Sequence, residues 1–225
     1  EDPTTRAWID EVLGWSAMHR GEHEEADRHL RAALELEKVI WANNPAVVFR
    51  YTFLARNLSM RRRFAEAEAV LDSIPNIDRV HGQTMGDPTA YAKEPSLARA
   101  MVKLDRGEPA AALALLPPDQ ADIDDFPFEH RHLLRGAALC ALGRASEGLP
   151  LMETYAEMFA DESFPSHPRV AYWRAVTGSC ALAAGDRPRA KQLAEQARQA
   201  FTRQPGVSPY YKAALLTLEE RLKRT

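Results

Sequence analysis

One short pattern occurs five times along the chain and constrains the fold more than any other feature of the sequence. In each copy a small residue is followed seven positions later by a turn residue, and five positions after that by a second small residue. The first small residues are Gly14, Ala55, Ala100, Gly136 and Gly178, and the turn residues are Gly21, Arg62, Gly107, Gly143 and Gly185. The second small residues are Ala26, Ala67, Ala112, Gly148 and Ala190, spaced 41, 45, 36 and 42 residues apart. Repetition at this period is typical of proteins that stack one structural unit.

Each copy predicts a pair of antiparallel α-helices, A and B, joined by a tight turn. Glycine at the turn can adopt the left-handed backbone that ends a helix, and the two small residues let the helix axes approach closely. Leu30 and Leu71, each four residues after its small residue, are predicted to fill the interface. Because one hairpin cannot bury its own apolar face, the units are expected to stack. No alternation of apolar and polar residues indicates a strand, so the predicted fold is all-α.

Proline residues help to place the helix starts. Five prolines are predicted to occupy first helical positions, where a missing N–H costs nothing: Pro3, Pro45, Pro95, Pro168 and Pro209. Pro150 is expected to kink a helix or delay its start. The predicted helices are 3–20, 22–43, 45–62, 64–74, 95–106, 109–116, 129–142, 145–160, 168–184, 187–203 and 208–223. The last is amphipathic and is expected to cap the apolar end of the stack.

The repeated strings resemble the tetratricopeptide repeat, in particular the long-helix variety of about 42 residues found in kinesin light chains. HPRVAYWRAVTGSCALAAGDRPRAKQLAEQARQAF, from His167, matches that style best, and NPAVVFRYTFLARNLSMRRRFAEAEAVL, from Asn44, matches it next best. The resemblance implies an α-solenoid, a right-handed superhelix of about five hairpins plus a C-terminal capping helix. It implies one repeat domain over 1–225, with units at about 3–43, 45–74, 95–116, 129–160 and 168–203 and the cap at 208–223.

Composition excludes several other classes of protein. The net charge of -3 does not suggest a nucleic-acid partner, which usually requires a concentration of basic residues. The short basic run 61–63 is expected to be a solvated helix end. Cys140 and Cys180 lie in apolar helical sequence and are expected to be buried free thiols. No stretch approaches the roughly 18 apolar residues that a membrane span needs, so membrane insertion is not expected.

The sequence contains no motif that supports catalysis or a cofactor. A glycine-rich phosphate loop, a nucleophile elbow and a Cys-x-x-Cys pair are all absent from it. His19 and His23 have the spacing of two metal ligands on one helix face, but Gly21 separates them at a predicted break. The acidic stretch 117–128 lacks the central glycine and closing glutamate of a calcium loop. We therefore predict that the protein is not an enzyme and holds no metal or cofactor.

The helix A positions that face inward in tetratricopeptide arrays identify a candidate partner-binding groove. In the first two units these positions carry Trp, Phe, Met and Arg, the types that contribute most interface energy. The candidate groove residues are Trp8, Glu11, Trp15, Met18, Phe49, Thr52, Arg56, Met60, His130 and Tyr172. The alternatives, which have most force for Trp15 and Phe49, are that this stripe is ordinary core between helices or that repeats N-terminal to Glu1 cover it. The Lys and Asn with which some members clamp a terminal carboxylate are not found at these positions, so carboxylate-tail recognition is not expected.

These observations predict a non-catalytic scaffold that binds a peptide or protein partner in its concave groove. A second hypothesis is a regulatory or sensor segment of a bacterial signalling protein, because ALAAGDRPRAKQLAEQARQAFTRQPGVSPYYKAAL, from Ala181, resembles the C-terminal repeats of bacterial serine/threonine protein kinases. The chain begins at Glu1 without an initiator Met, so a longer protein with an N-terminal kinase or other signalling domain is expected. A free-standing protein would be cytoplasmic, and a segment of a membrane kinase extracytoplasmic. Stretches 75–94 and 117–128 are predicted to be irregular, a feature that often marks function.

Overall fold

All regular secondary structure in the described part of the chain is α-helical, as the sequence predicted. The computed structural model describes residues 2–40, 47–74, 88–116, 131–158 and 168–224, without side-chain surroundings for 37–40, 88–94 and 155–158. The helices of these segments are α1 (Pro3–Arg20), α2 (His23–Ile40), α3 (Val47–Met60), α4 (Phe64–Asp72), α5 (Pro88–Arg106), α6 (Pro109–Ala114), α7 (Arg131–Ala141), α8 (Ala145–Met158), α9 (Pro168–Ala183), α10 (Arg187–Arg203) and α11 (Pro209–Arg224).

The helices belong to two compact units, α1–α5 and α6–α11. In the first unit α1 pairs with α2 and α3 with α4, while α2 also packs on α3 and α5 packs on both α3 and α4. The core of this unit joins apolar residues of four helices: Leu30, Leu34, Phe53, Leu54, Leu58, Leu71, Ala98 and Val102. The division falls between α5 and α6, which the sequence predicted as one hairpin. A single domain over 1–225 stays a prediction.

The second unit repeats the same arrangement of stacked hairpins. α7 pairs with α8 and α9 with α10, while α6 packs on α7 and α8 on α9. The predicted capping helix, α11, packs against both α9 and α10. Its Tyr211 and Leu218 are fully buried, so α11 covers apolar surface that the last hairpin would otherwise expose.

The five predicted turns all have the left-handed backbone that ends helix A. The φ angles are +83° at Gly21, +61° at Arg62, +84° at Gly107, +78° at Gly143 and +88° at Gly185. In the first turn the Gly21 N–H donates to Met18 O at 3.1 Å and the Glu22 N–H donates to Ala17 O at 3.0 Å. This pair of bonds is the Schellman motif, which satisfies carbonyls left open at a helix end. All five turns use it, and four of the five predicted hairpins pack as pairs: α1–α2, α3–α4, α7–α8 and α9–α10.

The small residues permit close helix contacts inside the hairpins α1–α2 and α7–α8, as predicted. A Cβ placed on Gly14 would lie 2.7 Å from Leu30 Cγ. A Cβ on Gly136 would lie 2.4 Å from Met152 Cγ and 2.8 Å from the Gly148 carbonyl oxygen. Leu30 and Leu71 are buried in the core, which confirms their predicted role.

Helix starts at proline were predicted correctly in three cases and wrongly in one. α1, α9 and α11 begin at Pro3, Pro168 and Pro209, whereas Pro45 lies outside the described residues. Pro95 lies inside α5, which begins at Pro88, so residues 88–94 are helical and not irregular. Pro95 was predicted to start the helix because a missing N–H costs nothing at a first helical position, whereas α5 continues through Pro95 and tolerates the hydrogen bond that it removes. Asp87-Pro88 offers the same acidic-residue-and-proline signal as Asp2-Pro3 and could have revealed the earlier start.

The other predictions about irregular backbone divide in the same way. Pro150 lies inside α8, which begins at Ala145 as predicted, so the expected delay of its start is wrong. Residues 75–87 and 117–128, the remainder of the predicted irregular stretches, lie outside the described residues.

The prediction of two free thiols is wrong, because Cys140 of α7 and Cys180 of α9 form a disulfide. Their Cα atoms are 5.5 Å apart, within the usual range for a disulfide. The two residues are 40 apart in sequence, close to the length of one repeat. Stacking brings the A helices of consecutive repeats side by side, so a spacing of one repeat length was the signal that could have indicated the bond.

Candidate partner-binding groove

Three aromatic residues of α1 and α3 retain exposed surface in the first unit. Trp8 is 61% exposed, and Trp15 and Phe49 are partly buried against the core that contains Leu54 and Leu58. Trp15 and Phe49 therefore belong partly to the core, as the alternative interpretation held, and partly to the surface. Together the three rings give α1 and α3 an aromatic surface of the kind that contributes strongly to protein interfaces.

An ion pair joins the two helices beside these rings. Arg50 Nε lies 3.0 Å from Glu11 Oε2, and both side chains are largely buried. Arg–carboxylate geometry is directional, so this contact fixes α1 relative to α3. Glu11 was a predicted groove residue, whereas Arg50 was missed. The signal for Arg50 was its charge in a helix whose one other charged residue is Arg56.

The remaining predicted residues of the first unit differ in their accessibility. Arg56 is partly exposed. Met18, Thr52 and Met60 are buried, so a partner would contact the surface above them and not their side chains. The Thr52 hydroxyl donates to the Phe49 backbone carbonyl at 2.9 Å, so its hydrogen bond is made inside α3 and not to a partner. The surface that a partner could reach is therefore formed by Trp8, Glu11, Trp15, Phe49 and Arg56.

The second unit carries a separate aromatic cluster around the predicted residue Tyr172. Tyr172 of α9 stacks on Tyr210 of α11, with ring centroids 5.4 Å apart and an interplanar angle of 19°. Tyr211 contacts both rings edge-on. The sequence analysis missed Tyr210 and Tyr211, although an adjacent tyrosine pair at the start of an amphipathic capping helix was a visible signal. His130 lies outside the described residues.

Helices α7 and α9 of this second unit carry several basic residues. Arg131 and Arg169 are buried. Burial, followed by the charge of Arg135, lowers the pKa of Arg131 and that of His132. Burial also lowers the pKa of Arg174. The neutral form of His132 is therefore favoured at neutral pH, and this residue adds no charge to the surface.

The strongest resemblance to catalytic geometry is a buried acid–histidine contact between α1 and α2. His29 Nδ1 lies 2.7 Å from Asp10 Oδ1, and Arg6 Nε donates to Asp10 Oδ2 at 3.2 Å. An aspartate that orients a histidine is one half of a catalytic triad. Here the other ring nitrogen faces the carboxylate of Glu25 at 3.8 Å, where a triad would place a hydroxyl or thiol. The contact therefore holds the first hairpin together.

The described segments contain no candidate metal site and no candidate membrane span. Those segments contain no group of three or more His, Cys, Asp or Glu side chains placed to hold a metal ion. None of their helices combines the length and apolarity that crossing a membrane requires.

Comparisons with known proteins support the fold class and leave the family open. No protein-family model matches the chain, and no curated protein matches it. Two solved structures, described as kinesin light chain TPR-like repeats from Podosopora anserina, are similar to it, each with a TM-score of 0.51. Their sequence identities are 18% and 20%, and each match covers 91% of this chain and 99% of the solved chain. The stacked hairpins and this likeness define an all-α helical-repeat fold, similar to that of tetratricopeptide-like repeats.

Proposed function

We propose that this chain is a non-catalytic scaffold that binds a peptide or protein through the α1–α3 groove, formed by Trp8, Glu11, Trp15, Phe49 and Arg56. The observation that carries this proposal is the exposure of Trp8 on the same face of α1 as half-buried Trp15 and as Glu11, which binds Arg50 of α3. Isolated exposed apolar residues are common on proteins, but a clustered aromatic surface marks an interaction site.

The chemistry of the groove favours a partner with apolar side chains flanked by polar groups. Trp and Phe rings bury a large area with few rotatable bonds, so they bind at modest entropic cost. Arg56 is partly exposed, and Glu11 is engaged by Arg50. A partner segment that places one or two large apolar side chains on the rings, with polar groups at its edge, would suit this surface.

A pull-down with matched variants tests the groove. We expect Trp8→Ala combined with Arg56→Ala to lose partners that the unmodified chain retains. Leu216→Ala is the matched control, since Leu216 is an equally exposed apolar residue on α11 and should retain them. Circular dichroism would verify that each variant is folded. Retention of every partner by the double variant would refute the groove assignment.

An alternative of narrower scope is a regulatory or sensor segment of a bacterial signalling protein, such as a serine/threonine kinase. The resemblance of residues 181–215 to the repeats of such kinases supports it. In that case an N-terminal kinase or other signalling domain would be the partner in the same chain. Sequencing the gene upstream of Glu1 decides between the two: a kinase or other signalling domain supports the segment, and a start codon directly upstream excludes it.

We also propose that the Asp10–His29 contact is structural and not part of a catalytic site. His29→Gln should lower stability and leave partner capture intact in the same pull-down. Tight, stoichiometric zinc binding by the chain in calorimetry, lost in His29→Gln, would instead indicate a metal site.

A further inference from the structure

The outer side of α1 exposes apolar residues whose counterparts in α3 are buried. Val12 and Leu13 are 42% and 45% exposed. Phe53 and Leu54 occupy the same places relative to the turn in α3, and they are 5% and 2% exposed. In the second unit one of the two corresponding residues is buried in each helix, Leu134 in α7 and Thr177 in α9, and the other is partly exposed. The sequence of α1 is thus suited to a covered position, and the first unit leaves it uncovered.

The helix that covers the equivalent side of α3 is α2. Asn57 of α3 is fully buried and hydrogen-bonds His23 of α2 through both side-chain atoms. Arg61 donates to Glu24 in the first turn of α2 at 2.7 Å. Leu30 and Leu34, four residues apart on α2, lie in the same core as Leu54. The covering helix therefore supplies a leucine pair and a carboxylate at its N-terminal end.

A second covering helix in the same unit follows the same charge rule. α4 packs on α5, and Asp72 of α4 accepts from Arg99 of α5 at 2.7 Å. Glu68 of α4 also binds Lys103, and this contact raises the pKa of Lys103. In both cases the covering helix presents carboxylates and the covered helix presents cations.

The outer side of α1 presents matching groups in matching places. Leu13, Ser16 and Arg20 stand relative to Gly21 as Leu54, Asn57 and Arg61 stand relative to Arg62. About half of the Arg20 side chain is exposed, and its present partners are Ser16 and Glu22, both close in sequence. A carboxylate placed on α1 as Glu24 is placed on α3 would therefore lie close to the guanidinium of Arg20.

We propose that the end face, formed by Ile9, Val12, Leu13, Ser16 and Arg20, docks an amphipathic α-helix of a partner protein. The helix would carry two leucines four residues apart and an acidic residue in its first turn, because those groups cover α3. The end face is a different surface from the α1–α3 groove, so this inference goes beyond the proposed function. Helix-in-groove recognition uses the same anchors at i and i+4.

A peptide with the sequence of residues 22–40, which span α2, is the appropriate probe. Labelled with fluorescein and added to the full chain, it should bind saturably with a Kd of about 100 µM or tighter. Leu13→Glu should weaken binding about tenfold or more, because it places a charge in the apolar contact. The controls Leu216→Glu and Arg56→Ala should leave the Kd unchanged, and the second separates this face from the groove.

Charge reversal gives an independent test of the same face. Arg20→Glu in the chain should weaken binding of the peptide, and a peptide with Glu24→Lys should recover affinity for that variant. Sedimentation equilibrium of the chain alone distinguishes a partner helix from a second copy. The proposal is overturned by absence of binding at about 1 mM peptide, by a Kd that Leu13→Glu does not change, or by self-association that Leu13→Glu abolishes.

Discussion

Asn57 of α3 holds His23 of α2 by two hydrogen bonds at once. The side-chain oxygen Oδ1 of Asn57 lies 2.8 Å from His23 Nδ1. The side-chain nitrogen Nδ2 of Asn57 donates to the His23 backbone carbonyl at 3.0 Å. Asn57 is fully buried, so water cannot replace either bond. This contact fixes the start of one hairpin's helix B on the next hairpin's helix A.

We expect Asn57→Ala to lower the free energy of unfolding by about 2–3 kcal/mol, since it removes two buried bonds and side-chain volume. His23→Ala removes the ring bond only and keeps the backbone carbonyl in place, so it should cost less. Urea denaturation of both variants gives the comparison. Equal losses for the two would show that the amide bond to the carbonyl contributes nothing.

The five hairpin turns differ at one position, and that difference predicts a stabilising change. Arg62 adopts φ +61°, where the other four turns have glycine. A residue with a side chain loses about 1–2 kcal/mol of stability in this conformation. Replacing it by glycine removes that strain, but glycine loses more conformational entropy on folding, which offsets part of the gain. Arg62→Gly should therefore stabilise the chain by about 0.5–1 kcal/mol.

The matched control for that change is Gly143→Ala. A Cβ on Gly143 would meet no atom within 4 Å, at φ +78°, so only the backbone conformation can oppose the substitution. It should destabilise by about 1 kcal/mol. A denaturation midpoint that falls for Arg62→Gly would contradict the account of this turn.

Helix spacing predicts unequal costs for two glycine substitutions of the same chemistry. A Cβ on Gly136 would meet the Gly148 backbone oxygen at 2.8 Å, whereas a Cβ on Gly14 would meet chiefly the side chain of Leu30. Backbone cannot move aside as a side chain can, so we expect Gly136→Ala to cost about 1–3 kcal/mol. Gly14→Ala should cost less, because the helix propensity of alanine offsets part of the strain. Thermal unfolding of the two variants provides the test, and a greater loss for Gly14→Ala would contradict it.

These contacts show which parts of the structure the sequence could predict. The five turns and the small residues beside them are local or periodic signals, so the turns and four of the five hairpins were predicted with their boundaries nearly correct. Two features were not predicted. The Cys140–Cys180 bond depends on the packing of α7 against α9, and the early start of α5 depends on a helix that continues through Pro95. Groove residues were chosen by repeat position alone, which cannot distinguish exposed Trp8 from buried Met18.

The disulfide between α7 and α9 should stabilise the second unit. A crosslink between residues 40 apart restricts the unfolded chain and is typically worth about 2–4 kcal/mol. We expect the midpoint of thermal unfolding to fall when the chain is reduced, and the double variant Cys140→Ala with Cys180→Ala to match the reduced form. Titration of two free thiols in the folded, unreduced protein would contradict this prediction.

The central claim, that the α1–α3 groove binds a protein partner, is tested most directly by site-specific photo-crosslinking. A photoreactive phenylalanine analogue replacing Trp8 should form discrete adducts in lysate of the source organism, and Arg56→Ala in the same chain should reduce their yield. The same analogue at Leu216, which is exposed to a similar degree, should not form those adducts. Identical adducts from both positions, or adducts at Trp8 that are unaffected by Arg56→Ala, would contradict the claim.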